Sequence, residues 1–167
     1  MTRRHVVPAV LILALAAVAV FVWSTRDTSE ERAIRGRLET LRNEVNASTA
    51  DGLGTAVRAV QIGGFFTKDV VVELGEGSVP IRGRDTIVGM VARLQPRTAA
   101  FRMELDDISV ELVPGGAAAD VLLTASFVRR SIPTGEESRD AREYALVLTN
   151  ASGDWEISRI TAIDTLR

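Results

Sequence analysis

From Phe101 to Ile163 the apolar residues recur mainly at every second position, the spacing of strands with one buried face. Phe101, Met103 and Leu105 occupy odd positions, and the phase then jumps to Ile108, Val110 and Leu112. A change of parity inside one strand predicts a β-bulge around Asp106-Asp107, which bends a sheet. Pro114-Gly115-Gly116 turns the chain into a second strand carrying Val121, Leu123, Ala125 and Phe127, with Arg129-Arg130 at its wet end. The polar stretch Ser131 to Ser138 leads to a third strand from about Ala141 to Thr149. Asn150-Ala151-Ser152-Gly153 reads as a hairpin turn, and Trp155 begins a last strand with Ile157, Ile160, Ala162 and Ile163.

The part before Phe101 is mostly helical in period. Thr28 and Glu31 have the spacing of a capping box, and Ile34, Leu38, Leu41 and Val45 form one apolar stripe behind them. A second helix is expected from about Thr55 to Ile62, with Val57 and Val60 as its apolar residues and Gly63-Gly64 ending it. Phe65-Phe66 should plug into the core. Val70-Val71-Val72-Glu73-Leu74 has the β-branched density of a strand, and Gly75 to Ser78 turns it toward Val79-Pro80-Ile81. Gly83 opens a third helix, with Asp85 in its first turn, Ile87, Val88, Val91 and Leu94 on its buried side, and Pro96 closing it. Helices first and long antiparallel strands afterwards predict an α+β fold with the helices gathered on one face of a curved sheet. In the last three strands both parities are partly apolar: Leu122 and Val128 oppose Val121 and Phe127, and Tyr144, Leu146 and Leu148 oppose Ala145 and Val147. A sheet apolar on both faces needs a second cover, so a homodimer packed through the outer face is expected.

Ahead of all this stand eighteen residues without a charge, Val6 to Trp23, preceded by Arg3, Arg4 and His5. As a helix such a run spans about 27 Å, enough for a bilayer core. The basic leader places the N-terminus in the cytoplasm and the rest outside the inner membrane. Ala17-Val18-Ala19 resembles a signal-peptidase site, but the bulky Val20, Phe21, Val22 and Trp23 that follow favour an uncleaved anchor. With no Cys in the chain, lipoprotein processing is excluded. The expected division is an anchor over 1–23, a short linker over 24–29 and one domain over 30–167.

The soluble part holds 18 basic and 22 acidic residues, a net charge of −4, which argues against a nucleic-acid partner. The only His is His5, in the leader. Beyond the membrane there is no imidazole and no thiol for a triad, a Cys–His pair or a zinc cage. No cofactor and no metal are expected, and catalysis could draw only on carboxylates, Tyr144, Lys68 or water. Asn46-Ala47-Ser48 and Asn150-Ala151-Ser152 match a glycosylation pattern and read as helix-end and turn residues. Asp106-Asp107, with Glu104 and Glu111 nearby, reads as a solvated bulge facing Arg129, Arg130 or Arg142.

Three stretches carry a resemblance: Phe66-Thr67-Lys68-Asp69-Val70-Val71-Val72-Glu73-Leu74, then Ile81-Arg82-Gly83-Arg84-Asp85-Thr86-Ile87, then Gly153-Asp154-Trp155-Glu156-Ile157. They look like the aromatic-x-x-Asp, Gly-Arg-Asp and Gly-x-Trp-x-Ile markers of the nuclear transport factor 2-like superfamily, which includes SnoaL-type polyketide cyclases and ketosteroid isomerases. The resemblance covers about Glu30 to Leu166. It implies a cystatin-like cone, three helices in the concave face of a mixed, largely antiparallel sheet; in structural terms Asp69 can cap or turn the chain before the first strand. It does not transfer a function, because one fold hosts enzymes, carriers and scaffolds. In the isomerase branch the general base is an Asp directly after the equivalent of Glu73. Here Leu74 stands there, and Glu73 should face the opposite way.

Two functions are therefore expected in order. The first is a membrane-tethered, extracytoplasmic domain with a non-catalytic assembly or binding role beside another envelope protein. The second is a small-molecule pocket, or a SnoaL-like enzyme doing isomerase or cyclase acid–base chemistry. Candidate pocket-lining residues are Tyr144, Arg159, Asp164, Trp155, Phe65 and Phe66, and no catalytic residue is assigned. Inward Tyr144, Arg159 and Asp164 around a cavity would favour the pocket; a cavity filled by Phe65, Phe66, Phe101 and Trp155 would favour the scaffold.

Overall fold

Helix α1, Ser29–Asn46, begins with Glu30 and Glu31 in its first turn, where carboxylates meet the positive helix end. The computed structural model describes residues 29–47, 52–75, 77–93, 99–131, 134–150 and 153–163. The apolar run Val6–Trp23, the Thr28 cap, Leu94, Pro96 and Asp164 lie outside them. Contacts divide the chain into Met1–Arg32 and Ala33–Arg167; of the first part only the opening turn of α1 is described. Among the described residues no helix is long and apolar enough to cross a membrane.

Ile34, Leu38 and Leu41 are the buried stripe of α1, each contributing roughly 1.5–3 kcal/mol by leaving water. The expected fourth member, Val45, is exposed at 37%. Helix α2 spans Gly52–Gly63. Its buried residues are Ala59, Ile62 and Gly63, and Val57 and Val60, its expected apolar residues, face outward at 59% and 66% exposure. The reason is close packing against the third helix. A Cβ on Gly63 would lie 2.6 Å from Val88 Cγ2, so the small side of α2 is the one that turns inward.

Strand β1, Phe66–Glu73, follows, then the two-residue strand β2, Ile81–Arg82. Asp69 lies inside β1 and is exposed, so it does not turn the chain before the strand. Gly83 N–H donates to Val70 O at 2.8 Å with φ +85°, a left-handed conformation that suits glycine. That turn launches α3, Arg84–Arg93, whose Ile87, Val88 and Val91 are half-buried.

The remaining strands are β3 (Ala99–Leu112), β4 (Ala118–Ser131), β5 (Glu137–Asn150) and β6 (Trp155–Ile163). They complete a six-stranded sheet in the order β2-β1-β6-β5-β4-β3, antiparallel except for the β1–β6 pair. β4 and β5 extend beyond the expected apolar stretches, because their ladder continues as a polar ribbon from Phe127↔Asp140 to Arg130↔Glu137. The bulge expected in β3 is present: the register to β4 shifts between Asp106 and Ser109, and Asp107 has φ 53°. Its predicted charge partners are not the ones found. Thr124 Oγ1 donates to Asp107 Oδ2 at 3.5 Å, Arg142 Nη1 donates to Leu74 O, and the nearby carboxylate with arginine partners is Glu104, paired with Arg102 and Arg139. The Arg102 hydrogen bond holds Glu104 below the usual carboxylate range.

Helix α1 covers the free edge of β3 with side chains. Arg35 Nη1 donates to Ile108 O at 2.7 Å, Asn46 Nδ2 donates to Met103 O at 2.8 Å, and Met103 N–H donates to Asn46 Oδ1 at 2.6 Å. The eleven residues from Arg35 to Asn46 rise about 16 Å, and the five from Met103 to Ile108 cover about the same length, so helix and strand run antiparallel in step. Asn46 behaves as a short extra strand. An edge that would otherwise invite another chain is partly satisfied from within.

Candidate functional site

Alternate residues of β5 on the helix-covered face run Leu148, Leu146, Tyr144, Arg142 and Asp140. The first two are buried, Tyr144 is half-buried and the last two are exposed. The same gradient crosses the sheet. On β4 it passes from buried Val121, Leu123 and Ala125 to Phe127 at 43% exposure, and on β3 from buried Met103 to Phe101 at 53%. Tyr144 pairs with Leu123 on one side and Ala162 on the other, so it stands in the row where the cover given by the helices ends. The candidate site is that border: a phenol, Arg142 two positions along β5, and exposed Phe127 on β4 opposite Asp140.

Burial raises the phenol of Tyr144 above its ordinary range; Arg142 acts against that rise and Asp140 adds to it. Tyr144 is therefore a protonated hydrogen-bond donor at neutral pH and a poor general base there. Among the described residues no three His, Cys, Asp or Glu side chains are grouped so as to hold a metal ion.

Phe65, Phe66 and Trp155 are brought together elsewhere, as core. All three are buried, and Ile157 N–H donates to Phe65 O at 2.8 Å. Arg37 fastens this corner: its guanidinium lies 4.2 Å from the Phe65 ring centroid, Nε donates to Trp155 O at 3.2 Å and Nη2 to Gly64 O at 2.6 Å. Trp155 pairs with Asn150, six positions from Tyr144 along β5 and so about 20 Å away. Arg159 is on the opposite sheet face. The β5–β6 register shifts between Val147 and Leu148, so Ser158 is extra in the ladder and Arg159 sits opposite outward Val147. There it faces Glu73 at 3.5 Å, while Thr161 Oγ1 donates to Glu73 Oε2 at 3.3 Å. Glu73 thus points away from buried Val72, as strand alternation requires.

Arg142 and Phe127 are site members that the sequence alone did not bring together. The signal was available in their i, i+2 relation to Tyr144 and Ala125. A separate cleft of about 420 Å³ lies at the far end of the β4–β5 ribbon, lined by Arg129, Ser131, Glu136, Glu137 and Ser138. Its side chains are mostly solvated, and it lies about six residue positions from the Tyr144 row.

Three helices against a six-stranded curved sheet in this order define the nuclear transport factor 2-like fold. No family model matches the chain, and no curated protein matches it. Solved structures do. A putative scytalone dehydratase from Novosphingobium aromaticivorans superposes with a TM-score of 0.66 at 14% identity, covering 82% of this chain and 85% of that one. ActVI-ORFA from Streptomyces coelicolor gives 0.65 at 11% identity, over 83% of this chain and 100% of that one. A putative calcium/calmodulin-dependent protein kinase II association domain from Xanthomonas campestris gives 0.61 at 14%, over 83% and 91%. At such identities the likeness is one of fold.

Proposed function

We propose that this chain is a membrane-tethered, extracytoplasmic domain of the nuclear transport factor 2-like fold with a non-catalytic assembly or binding role. It packs as a homodimer through the sheet face turned away from the helices and works beside another envelope protein. The observation that carries the reading is the composition of the helix-covered face. From Trp155 and Ile157 to Leu148, Leu146, Val121 and Leu123 it is filled core, and the first polar group met on β5 is Tyr144, whose burial keeps it protonated. Proton transfer at neutral pH is best served by a group poised near 7, and a phenol raised above its ordinary range is not such a group. The uncharged run Val6–Trp23 supports the tether. The kinase association domain among the structural neighbours is an example of this fold in a protein named for association.

A second reading has its own observation. Exposed Phe127, four positions along β4 from the Leu123 that pairs with Tyr144, could line a surface for an apolar or aromatic molecule to which the phenol donates. The scytalone dehydratase neighbour is named as an enzyme, so the fold admits both.

Crosslinking in intact membranes followed by mass spectrometry separates the readings. Recovery of the chain with a second envelope protein, from a pellet that survives an alkaline wash, is expected. Recovery of the chain alone, or its release by the wash, argues against the assembly role or the tether respectively. A Tyr144→Phe chain that keeps the crosslink is expected under the first reading; loss of a measurable ligand affinity in that variant would favour the second.

A further inference from the structure

One row of side chains crosses the whole sheet on the face turned away from the helices. Its members pair from strand to strand: Arg82 with Val71, Val71 with Arg159, Arg159 with Val147, Val147 with Asp120, and Asp120 with Glu111. Val71 stands between buried Val70 and Val72, and Asp120 between buried Ala119 and Val121, which sets the row on the outer face. Arg82, Arg159, Asp120 and Glu111 are exposed, and Val71 and Val147 are half-buried. Both cations therefore lie on the β2–β1–β6 half and both anions on the β4–β3 half, with one valine in each. Glu73 lies 3.5 Å from Arg159, so Arg82 carries most of the cationic half.

Within one chain this order is unfavourable at its acidic end, where Asp120 and Glu111 are like charges directly opposite each other. Between two chains it is self-complementary. The row is antisymmetric about the β5–β6 boundary, so the same row turned end for end matches it. A two-fold axis lying between two stacked sheets can run across the strands or along them. Across the strands at this row, each strand covers its own copy, and acids face acids. Along the strands, between β5 and β6, β4 covers β1 of the second copy and β3 covers β2. Glu111 then meets Arg82 of the second copy, and Asp120 falls over Val71 between Arg82 and Arg159. Symmetry repeats each contact. Opposite charges placed this way fix register, and like charges at the same places reject it.

We infer that a second copy of the chain docks on this face about a two-fold axis along the strands, with Asp120 and Glu111 of each copy set against Arg82 and Arg159 of the other. The inference rests on the homodimer proposed above and supplies its orientation.

Asp120→Arg turns the like pair with Glu111 into an opposite one, and Arg82→Glu changes an exposed residue of a two-residue strand, so both chains should fold. Detergent-solubilised full chains bearing two different affinity tags are mixed, co-purified and examined by sedimentation. Each variant with itself should pair at least about tenfold more weakly than the parent. The two mixed together should pair within about threefold of the parent, because each supplies the charge that the other now needs. A chain carrying both changes should likewise pair with itself. Single variants that pair as tightly as the parent overturn the orientation and leave the homodimer standing. Variants that stay apart when mixed overturn it as well. An Asp120→Arg chain that prefers the parent to Arg82→Glu sets the axis across the strands and overturns it. A parent that sediments as one copy at micromolar concentration removes the homodimer, and the inference with it.

Discussion

Tyr144 is the only tyrosine in the chain, so its ionisation can be followed without interference from another phenol. Burial favours its neutral form, so its folded pKa lies above the unfolded value of about 10. The sign follows from linkage. The folded state holds the proton more tightly, so this contribution to stability is fully present below about pH 10 and is lost as pH rises from there through the folded pKa. An ultraviolet titration of the folded chain should give a phenolate midpoint above that of the urea-unfolded chain, and Tyr144→Phe should flatten the alkaline fall in stability. Equal midpoints would mean that the phenol is not desolvated. Asn46 offers a second test. Its amide exchanges two hydrogen bonds with the backbone of Met103, and Asn46→Ala leaves a strand N–H and C=O at the β3 edge without them. The expected cost is about 1–3 kcal/mol in urea unfolding; a change inside the error of the fit would show that water replaces the amide freely. Both residues were visible in the sequence, Tyr144 as a candidate and Asn46 as a helix end. The bonding of Asn46 to β3 was not, because it joins positions 57 apart that no local pattern relates.

At the level of elements, what could be read ahead was what period and parity encode. The step from Leu105 to Ile108 announced the β3 bulge, and the structure has it between Asp106 and Ser109. The same three-residue step occurs from Ile157 to Ile160, and there it marks the bulge at Ser158 that sends Arg159 to the far face. Applied to β6 as to β3, the parity rule would have separated Arg159 from Tyr144. Hydrophobicity alone singles out Val57 and Val60 as the apolar residues of helix α2, because it ranks valine above alanine. Packing turns them outward, since buried Gly63 lets α3 approach closely. Gly63→Ala should therefore cost about 1–3 kcal/mol, because its new Cβ meets a β-branched side chain with little rotamer freedom. Val88→Ala opens that space, so the double variant should recover part of the loss, with a coupling of about 0.5–3 kcal/mol in a double-mutant cycle. Strictly additive costs would place the strain elsewhere.

For the whole molecule the question is what the second sheet face is for. Its middle carries Leu122 at 52% exposure, paired with Ser109 on β3 and Ala145 on β5, with half-buried Val147 two positions along β5. At one margin Glu111 and Asp120 stand directly opposite each other, a like-charge pair that weakens a sheet. At the other, Arg102 and Arg139 flank Glu104. An apolar centre inside a charged rim is the anatomy of an interface, and a stable pair of copies would bury about 800 Å² on each. Leu122→Asp puts a carboxylate at that centre, where pairing would strip its water without offering a partner. In one copy alone the residue stays exposed, so the variant should fold, with an unfolding free energy in urea changed by no more than about 0.5 kcal/mol. Light scattering on detergent-solubilised chain should give two copies for the parent and one for Leu122→Asp. A parent that runs as a single copy at micromolar concentration would remove the dimer. A variant that stays paired would move the contact off this face, leaving Leu122 as one of the scattered apolar residues that any protein surface carries.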